Sequence, residues 1–405
     1  MELANNRLTI AKFFGGLAIL VSLFPWVGFN ILNTDSQPWP LFFFVIFLAT
    51  IPKKVITPKN FYILFLIFII GIFISIFESN NMFSFLTIRA IYNYLAFVIV
   101  FIGFYNYLLK FGFPIKIFII ANFIWLAGGL VELYSADLLQ SIAPQRTTSG
   151  RGVTSFAPEP SFFAVYLFFS SWSILLANEY RLEKNIKLIL LFNFVSFFVL
   201  AKSAMGILYL LIGFSFIVFY HLFRIQINKR VLKTLIIGIL FFVVIALIFF
   251  PYLQENRYVD LAIKISSELN PFDIFYLDAS MNERLQHIVF SIHGVFLNYM
   301  MPGGFDTFIY HHNYLVNFYN NYFWWDQGSV KILSWIGDWI YQLGFFGIIV
   351  IWYFFKISEE KTYKNFIERL LLFIILLSAI PVAFPLVAMI FALLTYIKKI
   401  NYQSI

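Results

Sequence analysis

Apolar residues fill the chain in long runs separated by short polar segments. Runs of about 17–25 apolar residues suit helices that cross a hydrocarbon core roughly 30 Å thick. The pattern predicts such helices near 13–32, 38–51, 61–77, 87–109, 114–133, 160–178, 186–201, 204–221, 232–250, 332–355, 366–380 and 383–397. The second is short for a span, and so are the last two, which hinge at Pro381-Val-Ala-Phe-Pro385. That pair reads as two spans or as one kinked helix, and the choice decides on which side the chain ends. Ahead of the first run stand basic residues, as in a signal peptide, but the run is long and lacks a small-residue cleavage site. It therefore reads as an uncleaved first span.

Composition strengthens this picture. Of the 405 residues 61% are hydrophobic and 12% charged, whereas a soluble domain carries about 25% charged residues. The outer surface must face lipid, and the fold class expected is an all-α integral membrane protein of about twelve transmembrane helices. Positions 1–405 read as one polytopic domain. The absence of cysteine removes disulfides, thiolate catalysis and cysteine-bound metals. The net charge of +8 would suit nucleic acid, but its distribution gives another answer. All the Lys and Arg residues except Arg89, Arg146, Arg151, Lys202, Arg257, Lys264, Arg284 and Lys331 fall in loops on one side of the predicted bundle. By the positive-inside rule that side is cytoplasmic, and both termini belong to it. The only long connections, about 134–159 and 251–330, then lie outside. Polar, irregular chain over a rigid scaffold is where chemistry collects.

The first outer loop runs Gln145-Arg-Thr-Thr-Ser-Gly-Arg-Gly-Val-Thr-Ser-Phe-Ala-Pro-Glu-Pro-Ser161. Pro160 suits the first position of a helix, with Glu159 as its cap. Glu159 reads either as that cap alone or as a carboxylate held beside Arg146 or Arg151, able to orient them or accept a proton. In the second loop, Ser280 followed by Glu283 forms a capping box that starts a helix. Leu285, Ile288, Val289, Ile292 and Phe296 share one apolar stripe of it, and Arg284, His287, Ser291 and Asn298 gather on the other side. This predicts an amphipathic interfacial helix whose stripe meets lipid or the bundle, with Arg284 and His287 on its wet face or in a site. His311 and His312 follow a glycine turn. Neighbouring histidines diverge and rarely chelate one metal, so a general base is the better reading and no metal or cofactor is expected. Arg89, one turn inside its span, either snorkels or pairs. Lys202, in a tight outer turn, is a headgroup anchor or a site residue. Guanidinium forks suit phosphate oxygens, and outer arginines with His and Glu point to a phosphate-bearing lipid worked on by acid–base chemistry.

The segment Arg151-Gly-Val-Thr-Ser-Phe-Ala-Pro-Glu-Pro-Ser-Phe-Phe-Ala164 resembles the Wzy-type O-antigen polymerases and the related O-antigen ligases. Lys202-Ser-Ala-Met-Gly206, Asp278-Ala-Ser-Met-Asn-Glu-Arg284, Gly304 with His312-Asn-Tyr-Leu-Val316, and Trp339-Ile-Tyr-Gln-Leu-Gly-Phe-Phe-Gly347 are similar to that family in order and loop placement. The resemblance implies a C-type glycosyltransferase fold with two large periplasmic loops, in the bacterial inner membrane. It implies transfer of a growing glycan from undecaprenyl diphosphate onto a lipid-linked repeat unit. A membrane lipid carrier and a chain-length regulator protein are the implied partners; nucleic acid is not. Family arginines map best onto Arg151 and Arg284, with Arg146, Arg89 and Lys202 in support, and the catalytic base onto His312, His311 or Glu159. The ligases carry Ser or Thr after their histidine where this chain has Asn313, which favours polymerase over ligase. A transporter is the remoter alternative: such proteins show internal repeats and mid-membrane ionisable sites, whereas here the polar residues pool on one face.

Overall fold

Lipid offers no partner to backbone N–H and C=O groups, so a chain this apolar must satisfy them within its own helices. A computed structural model describes residues 2–28, 37–52, 54–78, 85–135, 137–140, 142–143, 152–178, 184–223, 279–305, 307–319, 322–323, 331–378 and 380–403. Every regular element among them is a helix. In chain order these are α1 (Glu2–Ser22), α2 (Trp39–Thr50), α3 (Tyr62–Glu78), α4 (Phe85–Phe111), α5 (Ile115–Tyr134), α6 (Asp137–Gln140), α7 (Pro160–Ala177) and α8 (Lys184–Ser196). A π-helical turn, Phe197–Ala201, precedes α9 (Ala204–Phe223). The remaining helices are α10 (Ala279–Leu297), α11 (Phe308–Phe318), α12 (Trp335–Leu343), α13 (Phe345–Ile357), α14 (Tyr363–Leu377) and α15 (Pro385–Gln403). The predicted span near 232–250 lies outside the described residues, as do Arg146, Arg151, Arg257 and Lys264.

Three segments are long and apolar enough to cross a membrane: Thr87–Phe111, Ile115–Tyr134 and Pro160–Ala177. The helical stretches Trp39–Thr50, Tyr62–Ile76, Ile186–Ala201, Met205–Phe216 and Phe345–Ile357 are apolar but shorter. Large apolar side chains face outward along them: Phe65, Phe123, Leu191 and Trp352 are each at least half exposed. Grouped exposed hydrophobics of this kind mark a surface covered by something other than water. The structure is thus that of an all-helical, membrane-embedded protein.

Two expectations are corrected, and one choice left open is decided. The first helix starts at Glu2 and ends at Ser22, not near 13–32: nothing breaks the polar N-terminal turns, whereas Pro25 soon after Ser22 cannot continue a helix. The run 332–355 is two helices, interrupted at Gly344, whose φ of +53° only glycine adopts without strain. The last apolar stretch is a returning pair rather than one kinked helix. Lys398 Nζ at the end of α15 donates to the Ile357 carbonyl at 3.1 Å, and Asn401 Nδ2 to Glu360 Oε1 at 3.0 Å. The end of α15 therefore lies beside the turn from which α14 departs.

The bundle is built around α15. Between Leu386 and Leu394 no residue is more than 1% exposed, as expected of a helix apolar all round. It packs mainly on α4 and α7, and Phe391 meets the rings of Phe97, Trp335 and Phe354. Polar links tie outer helices together without water: Asn122 Nδ2 donates to Ser170 Oγ at 2.7 Å and Asn193 Nδ2 to Asn122 Oδ1 at 2.8 Å, joining α5, α7 and α8.

The two ends differ in charge. One gathers the close of α4, the 54–60 segment, the α13–α14 turn and the end of α15. There Asn106 exchanges hydrogen bonds with Ile56, Tyr353 Oη donates to Lys59 O, and Lys399 lies over the Tyr105 ring. Lys59, Lys110, Lys356, Lys361, Lys364, Lys398 and Lys399 belong to this end. The other end joins residues 23–28, 37, 152–155, 200–203 and 378–384, through bonds such as Gln37 N to Pro25 O, Tyr92 Oη to Gln37 O and Val153 N to Leu200 O. Arg89 and Lys202 stand there.

Close helix contact depends on missing side chains. A Cβ at Gly103 of α4 would lie 2.2 Å from the Phe44 ring of α2. Gly103→Ala should therefore destabilise the protein by about 1–3 kcal/mol, as overpacked cores do. The check is thermal unfolding in detergent against wild type; an unchanged midpoint would mean the two helices separate freely.

Candidate functional site

The helix that carries Arg284 is turned inside out. α10 begins at Ala279, so Ser280 is already its second residue and not its cap. Arg284, His287, Ser291 and Asn298 do share a face, but that face looks inward. Asn282 and Ser291 are fully buried, Gln286 is 3% and His287 2% exposed, while Ile292 and Phe296 of the apolar stripe are 41% and 63% exposed. Leu285 and Val289 of the stripe pack on the apolar cluster around Phe290 and Tyr341, only Ile292 and Phe296 point outward, and the wet-face reading of His287 falls. The reason is the medium: a lipid-facing helix exposes its hydrocarbon and keeps polar groups inside. α10 rests on α12, where a Cβ on Gly337 would lie 2.3 Å from Ser291 Oγ and one on Gly294 2.6 Å from the Tyr341 ring.

Arg284 is half-buried and within electrostatic reach of the Tyr209 hydroxyl near the start of α9. That hydroxyl hydrogen-bonds Ser378 Oγ, just past α14, and the neighbouring Leu377 carbonyl accepts from Ser334 Oγ at 2.8 Å. The hydroxyl before the guanidinium is thereby tied to the end of α14, which the residue before α12 holds in turn. One turn along α10, His287 has Glu283 Oε1 4.0 Å from its Nε2. Among the described residues neither of its ring nitrogens has a hydrogen-bond partner. A buried polar group left so costs about 1–3 kcal/mol.

The paired histidines separate in environment. His311 is part-buried, its Nδ1 2.7 Å from Tyr341 Oη; the same hydroxyl donates to the Thr307 carbonyl at 3.3 Å. With that donation made, His311 Nδ1–H donates to Tyr341 and leaves Nε2 with its lone pair. Burial pushes the His311 imidazole below its ordinary range, which keeps it neutral. His312 is 5% exposed and lies between the Phe290 and Phe308 rings.

Glu159 is the residue before α7, with Pro160 in the first turn, as expected. Its side chain makes no cap bond; Oε2 accepts from Ser161 Oγ at 3.1 Å instead. Arg89 is half-buried in the first turns of α4, and Lys202 is exposed in a left-handed turn with φ +41°. Gly152 packs against the Ala201 carbonyl just before Lys202, so closely that a Cβ would fall 2.1 Å from that oxygen.

Sequence reasoning missed Glu132. Its carboxylate, at the end of α5, accepts from the backbone N–H groups of Thr154 and Ser155 and from Thr154 Oγ1. It fixes the segment that leads to Glu159. An acidic residue in the last turn of an outer-ending span, facing a Thr-Ser turn, was the available signal. Asp338 was missed too. It accepts from Gln342 Nε2 at 2.6 Å and is the charged neighbour of the buried Tyr94.

Two outcomes follow. Replacing Glu132 by Ala removes charge-assisted bonds worth about 1.5–3 kcal/mol each and should expose residues 152–159 to protease while the bundle stays inserted; wild-type protection would clear Glu132 of that role. For His311, the folded value lies below the unfolded one, so the unfolded chain binds more protons in acid. Its contribution to stability is therefore complete above about pH 6.5 and is lost as pH falls through the folded value. Melting in detergent should drop more steeply on acidification for wild type than for His311→Gln, and parallel curves would remove His311 as the cause.

Comparison with protein-family models, with curated proteins and with solved structures yields no match.

Proposed function

We propose that this chain is a polysaccharide polymerase of the inner membrane of a bacterium. It would transfer a growing glycan from undecaprenyl diphosphate onto a lipid-linked repeat unit at the periplasmic face. The observation that carries the reading is Arg284, turned inward on α10 at the end away from the lysine-rich turns, with the Tyr209 and Ser378 hydroxyls before it. A guanidinium with hydroxyls is suited to phosphate oxygens, and charge that develops on a departing diphosphate needs such a fixed donor. The resemblance at Arg151–Ala164 and Asp278–Arg284 supplies the reaction class.

In this reading the bundle has about twelve spans in a C-type glycosyltransferase arrangement, with both termini in the cytoplasm. The returning pair α14–α15 and the clustering of lysines at one end support it. Arg284 holds the diphosphate together with Arg151, while Arg146, Arg89 and Lys202 hold the lipid carrier. His312, His311 and Glu159 are the candidates for handling the acceptor proton. A chain-length regulator is the protein partner. Transport fits less well. A transporter would use the interruption at Gly344 for ions, but there the Tyr341 and Gln342 carbonyls already accept from the Gly303 and Gly304 N–H groups.

Deletion in the source bacterium should leave lipopolysaccharide capped with one repeat unit. Lipopolysaccharide with no O-antigen, and chains accumulating on the carrier, would indicate a ligase instead, and normal long-chain ladders would reject both. Arg284→Ala should abolish polymer while the protein stays inserted at wild-type amount, a loss of about 10²-fold or more in rate. Unchanged polymer length in that variant would take Arg284 out of the site.

A further inference from the structure

Distance along α10 separates the histidines. At 1.5 Å rise per residue, the level of Gly294, against which Tyr341 and hence His311 sit, is about 15 Å from that of Arg284, and that of Phe290, against which His312 packs, about 9 Å. His287 is only about 4.5 Å along the axis and on the same face. The acceptor oxygen attacks an anomeric carbon one bond from the diphosphate. The group that takes its proton must therefore stand close to the residue that grips the phosphate.

We infer that His287, oriented by Glu283, is the base of the reaction proposed above, an inference that rests on that reading. His287 is the buried imidazole on this face with both nitrogens unpartnered among the described residues, and Glu283 stands 4.0 Å from its Nε2. Around it, Glu283 and Arg284 are the charged groups on its own helix; Tyr209 of α9 faces Arg284, and Gly337 of α12 lies against Ser291. With Nε2–H directed at the Glu283 carboxylate, Nδ1 carries the lone pair. The acceptor hydroxyl gives its proton to Nδ1 as its oxygen bonds to the anomeric carbon. The bond from that carbon to the diphosphate oxygen breaks, and its electron pair leaves with the diphosphate beside Arg284. The imidazolium, held by Glu283, then releases the proton to water. The acceptor hydroxyl supplies the partner that the ring lacks in the resting protein.

The test uses full-length protein in vesicles, given lipid-linked repeat unit extracted from a polymerase-deficient strain. His287→Gln should bind the donor as wild type does, yet extend it 10²- to 10⁴-fold more slowly and without the imidazole limb of the pH–rate profile. Glu283→Gln, at a position 24% exposed, should fold normally and lower kcat about 10-fold or more with KM unchanged, and Glu283→Asp should restore much of it. A His287→Gln protein with wild-type rate and profile, or a Glu283→Gln protein with wild-type kcat, overturns the inference and leaves the polymerase reading standing. Wild-type protein that makes no polymer from the same lipid overturns both.

Discussion

The structure depends on one constraint: backbone polar groups that face lipid have no partner outside the protein, so they must find one inside. The break at Gly344 shows how strictly this holds. Ending α12 there frees carbonyls and N–H groups that lipid cannot satisfy. The segment 300–304 supplies the missing partners: Gly303 and Gly304 donate to Tyr341 and Gln342, and Phe345 N donates to the Met300 carbonyl. To do so the chain turns through positive φ at Tyr299, Met300 and Gly304. Phe305 N then finds Ser75 Oγ of α3 at 2.7 Å. The glycines of Met301-Pro-Gly-Gly-Phe305 therefore serve the backbone of another helix.

The same constraint explains α10. Read as a soluble helix, its polar face would be wet and its apolar stripe would be core. In a lipid-facing protein the assignment inverts, and a face of Asn282, Gln286, His287 and Ser291 becomes the interior. Burial of such a face against α12 needs small residues opposite, which Gly337 and Gly294 provide. The chemistry-bearing residues end up between helices rather than on a loop surface. There the effective dielectric is low, so each charge acts more strongly than it would in water.

Much of the helix layout was legible from apolar run length, because lipid sets that length directly. Helices α2, α3, α4, α5, α7 and α9 begin and end within two residues of their expected limits, and α8 does so once its π-helical turn is included. What hydropathy could not show was local. Arg7 and Lys12 made the first turns of α1 look like a loop, though nothing there breaks a helix. At Gly344 the apolar run continues unbroken, and only the backbone angle interrupts it. The site was less legible still. The periodicity of α10 identified which residues share a face, but not which way the face points, since that depends on the surrounding medium and on α12. Glu132 and Asp338 sat inside or beside apolar runs and were passed over, although an ionisable residue at membrane depth is there for a reason.

Arg284 is where these strands of the argument meet. An arginine near mid-bilayer costs about 2.5–3.5 kcal/mol on an insertion scale, and a position at the helix end softens that. On α10 Arg284 stands in the second turn, half-buried, on the face that turns inward. Tyr209 lies before it, hydrogen-bonded to Ser378, and both are hydroxyls, groups that can orient a guanidinium or an anion. Hydroxyl oxygens and a guanidinium thus stand together at the end of the bundle away from the lysine-rich turns. A soluble anion would be held as well by exposed lysines, and this chain has those chiefly at its other end. In the function proposed above, a phosphate carried on a lipid would bring its charge to the level of Arg284, and the inward turn of α10 would set that level.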